Sequence, residues 1–199
     1  KISLLRLNMS HIPISKLKNI ILYVKKFSKV PICIDTEGAQ IRTKTKRKKK
    51  LIKNNNIYIF KHKGDLNFYP PEIFSKIKKN DILNVGFDNL KIKVTKKEAN
   101  KLRCKILSSG SLENNKGVHL ENRTIKLDYL TMKDKQAIII GKKMNIKYFA
   151  LSFTNSHYDI IKFNKLLKSK VKIFKLETSS AIKNLNQILS AGNKFLIDR

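Results

Sequence analysis

Val30-Pro31-Ile32-Cys33-Ile34-Asp35-Thr36-Glu37-Gly38 is the stretch on which the fold turns. An apolar run of this length, entered through Pro31 and leaving into a turn-prone polar run, reads as a strand buried on both faces. Upstream, Ile2 to Met9 is a first strand-like run, broken at His11-Ile12-Pro13. Ile14, Leu17, Ile20, Ile21, Val24 and Phe27 then recur at helical spacing. The three pieces make a βαβ unit.

Downstream, Lys- and Asn-rich text from Thr43 to Asn56 interrupts this rhythm. Ile57–Phe60, Ile82–Val85, Leu90–Val94 and Leu102–Leu107 follow as short β-like pieces, with no long helical period among them. The reading is a small β domain over 44–115, inserted between a first α/β part (1–43) and a second (116–199). Lys44 to Lys53 is expected to be a solvated, mobile connection into the insert. After Lys116-Gly117-Val118 the alternation returns. Thr131 with Asp134 forms a capping box before a helix over Ala137–Met144. Strand-like runs at Tyr148–Phe153, Val171–Leu176 and Phe195–Ile197 alternate with helical runs at Asp159–Leu167 and Ala181–Leu189. The alternation implies a parallel sheet with right-handed crossovers. Rhythm alone does not separate a doubly wound sheet from a barrel. The chain opens on Lys1, and both its ends fall inside strand-like text, which reads as a piece of a longer protein.

The formal charge is +30, from 44 basic and 14 acidic residues. Such a balance ordinarily raises nucleic acid or an anionic membrane as partner. Only Arg6, Arg42, Arg47, Arg103, Arg123 and Arg199 are Arg, however, and the planar fork that reads bases and grips phosphates belongs to Arg. Lys, Ile and Asn are enriched together along the whole chain, the mark of compositional drift, so neither partner is expected. Cys33 and Cys104 lie in apolar runs without metal-type spacing, which fits a reduced, cytoplasmic protein and excludes a disulfide scaffold. No apolar run approaches a membrane span. His11, His62, His119 and His157 show no zinc spacing.

In α/β folds the reactive groups collect at the carboxyl ends of the strands. Arg6, Asn8 and Ser10 alternate with Leu5, Leu7 and Met9, so three polar side chains share one face. Asp35-Thr36 ends the next strand with an acidic and a hydroxyl oxygen suited to a cation, and Arg42 follows. Lys175 and Glu177 stand two apart, opposite Phe174 and Leu176. Turn capping by Asn8 and Ser10, an ordinary Asp turn, and a Lys175–Glu177 ion pair are the structural alternatives. Together these residues suit phosphoryl transfer, where catalysis is mostly positioning and charge neutralisation. No Walker loop or glycine-rich nucleotide fingerprint is present.

At these residues the sequence resembles the pyruvate kinase family. Arg6-Leu7-Asn8-Met9-Ser10-His11 is similar to the strand end whose Arg reaches the phosphoryl group and whose Asn and Ser bind a monovalent cation. Asp35-Thr36-Glu37-Gly38-Ala39-Gln40-Ile41-Arg42-Thr43 resembles the motif whose Asp and Thr complete that site and whose Arg faces nucleotide phosphates. Lys116-Gly117-Val118-His119-Leu120 resembles the return from the family's lid domain, with its Lys near the nucleotide. Ala150-Leu151-Ser152-Phe153 resembles the strand whose Ser borders the substrate. Phe174-Lys175-Leu176-Glu177 resembles the strand carrying the essential Lys and the Glu that binds a divalent metal.

The resemblance implies a partial (β/α)8, TIM-type barrel with an inserted small β-barrel lid. It implies phosphoryl transfer from phosphoenolpyruvate to ADP, with Mg2+ or Mn2+ and K+. Lys175 and Arg6 would be catalytic, and Arg6, Ser152 and Lys175 would bind substrate. Arg42, Lys116 and Asn8 would bind nucleotide, Glu177 the divalent ion, and Asn8, Ser10, Asp35 and Thr36 the monovalent one. A homo-oligomer is implied for the longer parent chain. Ala39 stands where the family usually has Pro, and Asn84-Val85-Gly86 where the lid has paired Asp before Gly. Phe195-Leu196-Ile197-Asp198-Arg199 resembles the strand just before the family's metal-binding Gly-Asp. A degenerate, non-catalytic relative that binds a ligand or partner, and a polyanion binder using Lys44 to Lys53, are the other readings.

Overall fold

The computed structural model describes residues 2–86 and 89–198. They form two compact units, Lys1–Ala39 with Asp128–Arg199, and Gln40–Leu127.

In the first unit, β1 (Leu5–Asn8) leads through α1 (Ile14–Phe27) to β2 (Ile32–Asp35). In the second unit the chain passes through β3 (Ile41–Thr45), β4 (Lys49–Leu51), β5 (Asn56–Phe60), β6 (Leu66–Tyr69), α2 (Ile73–Lys76), β7 (Ile82–Val85), β8 (Leu90–Lys97), β9 (Lys101–Ser108), β10 (Gly110–Leu112) and β11 (Gly117–Leu120). It re-enters the first unit with α3 (Met132–Lys143), β12 (Tyr148–Leu151), α4 (His157–Leu167), β13 (Val171–Leu176), α5 (Ser179–Lys183), α6 (Leu185–Ala191) and β14 (Phe195–Ile197).

The first unit is built on a five-stranded parallel sheet in the order β1-β2-β12-β13-β14. Each strand is added beside its predecessor, with no reversal of direction across the sheet. One face packs against the helices. Leu7, Ile34, Phe149, Leu151, Phe174 and Leu176 meet Leu17 and Ile21 of α1, Ile138 of α3 and Phe163 of α4 in a continuous apolar core. Fully burying a side chain such as Phe149 or Phe163 is worth about 1.5–3 kcal/mol. Gly141 lets α3 lie close to the sheet, because a Cβ there would stand 2.5 Å from the Ile34 Cδ1. The Thr131–Asp134 capping box opens α3, and a second one, Ser156 with Asp159, opens α4.

The single helix expected over Ala181–Leu189 is two short ones, α5 and α6, divided at Asn184. The Asn184 amide donates to the Asn155 carbonyl at 2.9 Å, a tertiary tie that side-chain periodicity does not reveal.

The second unit is a closed seven-stranded barrel in the order β11-β3-β6-β5-β9-β8-β7, with β4 and β10 paired beside it. Its core is apolar, drawn from alternate residues such as Ile59, Leu83, Ile92, Val94, Leu102, Cys104 and Ile106. The compact unit is wider than the 44–115 block marked by composition, since β3 and β11 pair with each other to close the barrel. Half of Lys44 to Lys53, expected as a mobile connection, lies in β3 and β4, where Lys49, Lys50 and Leu51 pair with β10. The backbone needs of the ladder outweigh the charge of that run.

Candidate active site

The polar face of the parallel sheet is built by register. Arg6 pairs with Cys33 and Asn8 with Asp35 across β1 and β2, and Ala150 of β12 lies beside Asp35. Residues paired in this way share a face. Arg6, Asn8, Asp35, Ser152 and Lys175 therefore project from the side opposite the helix-packed core.

Asp35 is fully buried. Its Oδ1 accepts from the Ser152 hydroxyl at 3.0 Å, and its Oδ2 meets Lys175 Nζ at 3.3 Å and Arg6 Nη1 at 3.5 Å. Lys175, on β13, is 4% exposed. Its ammonium donates to Ser152 Oγ at 3.1 Å and lies 3.3 Å from Glu177 Oε1 and 3.1 Å from Asp198 Oδ2. Burial is the largest influence on Lys175 and by itself pulls its pKa down. The carboxylates of Asp35, Glu177 and Asp198 outweigh it, so the ammonium holds its proton above the ordinary lysine value.

Glu177 is held from its other oxygen. Phe153 takes a left-handed backbone conformation, φ 54°, and its N–H donates to Glu177 Oε2 at 2.7 Å. A residue without glycine's freedom in that region carries strain, and such strain gathers at functional sites.

The turn after β2 is clamped from below. Glu37 and Gly38 N–H donate to Asp134 at 2.8 and 3.2 Å, the Thr131 hydroxyl donates to Glu37 Oε1 at 2.8 Å, and Lys133 pairs with Glu37 Oε2 at 3.2 Å. Burial pushes the Asp134 carboxyl up, against the pull of these backbone N–H groups. Gly38 has φ +69°, and a Cβ there would come within 2.7 Å of the Ser152 carbonyl, so glycine alone lets the turn lie against the end of β12.

Thr36 Oγ1 accepts from Ser152 N–H at 2.9 Å, and Asn8 Oδ1 from Ser10 N–H at 2.9 Å. Arg42 and Lys116 belong to the small barrel, where Arg42 pairs in register with Gly117 and Lys116 Nζ meets Glu113 at 3.1 Å. No motif in the sequence marks Asp198 as a site residue. Its signal was available only through register, since Leu196 pairs with Lys175 and Asp198 lies two residues further along the same face.

The donors at this rim are carboxylate, amide and hydroxyl oxygens, the set that hard cations take. Cys33, beside them, is pushed up to about 12, chiefly by burial and then by Asp35, and stays a thiol. Among the described residues no group of three or more His, Cys, Asp or Glu side chains is arranged as a metal cage. Asp35, Glu177 and Asp198 are each turned onto the Lys175 ammonium instead. Among the described residues no helix is long and apolar enough to cross a membrane.

The family model for pyruvate kinase, barrel domain, matches residues 2–199. Proteins named pyruvate kinase from Staphylococcus aureus strains MRSA252, USA300 and NCTC 8325 / PS 47 are each 29% identical to this chain over 215 residues, covering 98% of it. The chain spans 36% of the length of these curated relatives. With the match running through the whole of the strand-end cluster, the chain belongs to the pyruvate kinase barrel-domain family.

Proposed function

We propose that the chain carries the phosphoryl-transfer rim of a pyruvate kinase-like phosphotransferase, which moves a phosphoryl group from phosphoenolpyruvate to ADP, giving pyruvate and ATP. The observation that carries this reading is the convergence of Asp35, Ser152 and Glu177 on the Lys175 ammonium, with Arg6 on the same Asp35 oxygen. The unreversed order of the five parallel strands supports the finer reading of a partial (β/α)8 barrel, with the small barrel as its inserted lid.

In this reading Lys175, kept charged by its carboxylate neighbours, lies against the phosphoryl group in flight, and Arg6 takes part of its negative charge. Ser152 borders the substrate. Glu177 holds the divalent ion, Mg2+ or Mn2+, while Asn8, Ser10, Asp35 and Thr36 hold K+. A bound divalent ion supplies Lewis-acid neutralisation of the phosphoryl oxygens. The resemblance makes Arg42 and Lys116 the nucleotide-binding residues of the small barrel, and Asn8 that of the sheet unit. The two free, buried cysteines suit a reducing cytoplasm. Assembly as a homo-oligomer follows from the family resemblance alone.

The test is a coupled assay of the full-length protein with phosphoenolpyruvate and ADP, with and without divalent cation and potassium. Turnover is expected to require the divalent ion. Lys175→Met is expected to lower kcat by about a thousandfold or more, the scale of losing a preorganised charge at the reacting group. Absence of ATP formation by the unaltered protein overturns the reading.

A further inference from the structure

Beyond helping to keep Lys175 charged, Asp198 has no role in the reading above, yet it contacts both cations of the rim. Its Oδ2 lies 3.1 Å from Lys175 Nζ and 3.6 Å from Arg6 Nη1. Asp35 Oδ2 touches the same two cations, at 3.3 and 3.5 Å. Two carboxylate oxygens and two cationic nitrogens thus alternate around a ring.

The two acidic members of this ring differ in access. The Asp35 side chain is 1% exposed and is anchored by the Ser152 hydroxyl. The Asp198 side chain is 35% exposed and stands just past the end of β14. Asp35 is the floor of the ring, and Asp198 is the member that solvent reaches. With Glu177 also on Lys175, three carboxylates face two cations. An arriving anion therefore meets cations that are already neutralised, and like charge beside them.

We infer that Asp198 is a built-in competitor for the phosphoryl anion. Its carboxylate occupies the place between Arg6 and Lys175 where a phosphate-class ligand would be held, so such a ligand is accepted only as Asp198 gives way. The inference rests on the reading of Arg6 and Lys175 as the phosphoryl site, and it makes Asp198 a residue that sets affinity at that site.

The experiment titrates the full-length protein with inorganic phosphate, without divalent cation, by calorimetry and by phosphorus NMR. Asp198→Asn and Asp198→Ser are compared with the unaltered chain, alone and combined with Lys175→Met. Each single variant is expected to bind phosphate about tenfold tighter, as relief of one close like charge allows. Lys175→Met is expected to abolish that gain. Binding that is unchanged or weaker in both single variants overturns the inference, as does a gain that survives Lys175→Met. Turnover of phosphoenolpyruvate is read separately. Tighter phosphate binding with no turnover leaves Asp198 as the competitor and removes the kinase reading.

Discussion

The two units spend their buried polar groups differently. In the parallel-sheet unit Asp35, Thr36, Glu37, Thr131, Asp134, Ser152, Thr154 and Lys175 are buried. In the small barrel the corresponding described residues are Thr43 and Asp81. Those two tie the barrel to its own connecting segments. The Thr43 hydroxyl donates to the Glu113 carbonyl at 2.6 Å, and Asp81 takes a two-pronged pair from Arg123 at 2.8 and 2.6 Å. In the sheet unit buried groups also join one strand end to another as opposite charges, such as Asp35 and Lys175. Removing charge from water is costly and is repaid only by close pairing. A rim with no chemistry to perform would be cheaper to keep apolar, and the contrast supports the proposal that the strand-end cluster is the functional site.

The sharpest way to break this comparison is to remove one cation from each unit. Lys175→Met leaves Asp35 and Glu177 buried with one fewer partner, and is expected to cost about 3–5 kcal/mol in urea unfolding, with the fold retained. Arg123→Met leaves Asp81 with the Lys78 N–H still donating at 2.8 Å, and is expected to cost about 2 kcal/mol. Equal losses would show that the rim is no more demanding than an ordinary loop tie.

Glycines sharpen the same contrast. Gly38 and Gly86 both have left-handed backbones, at φ +69° and +66°. An added Cβ at Gly38 meets backbone at 2.7 Å, whereas at Gly86 the nearest atom is Lys116 Cδ at 3.7 Å. Gly38→Ala is therefore expected to lose about 3 kcal/mol, from backbone strain and clash together, and Gly86→Ala about 1 kcal/mol from strain alone. Thermal unfolding of both variants makes the check.

The smallest effect is one of pH. Burial is the largest influence on Asp81 and raises its pKa, but Arg123 and the Lys78 N–H together hold it below the ordinary carboxylate value. A depressed folded pKa contributes stability that is complete above the unfolded value of about 3.9 and is lost as pH falls through the folded one. Asp81→Asn is accordingly expected to lower the melting temperature near pH 6 and to converge on the unaltered chain in strong acid. Parallel curves over that range would remove Asp81 from the acid limb.

Much of the architecture could be read in one dimension because it depends on local periodicity. Ile14, Leu17, Ile21 and Val24 marked α1 over Ile14–Phe27, the Val171–Leu176 strand has the bounds expected of it, and Thr131 with Asp134 carried its own capping chemistry. The short alternating runs of the insert likewise announced β structure. What lay beyond periodicity was pairing. The division of α5 from α6 falls at Asn184, which bonds to Asn155, and the strand at Lys49–Leu51 depends on a ladder with Gly110–Leu112.

The same boundary runs through the rim. Strand ends at Asp35 and at Lys175 with Glu177 are visible in sequence, because alternation assigns each side chain a face. Which of those faces meet, and that Asp198 bridges Arg6 and Lys175, was decided by register between strands separated by helices and by an inserted barrel. Charge acts through distance in space, and only the assembled sheet sets that distance.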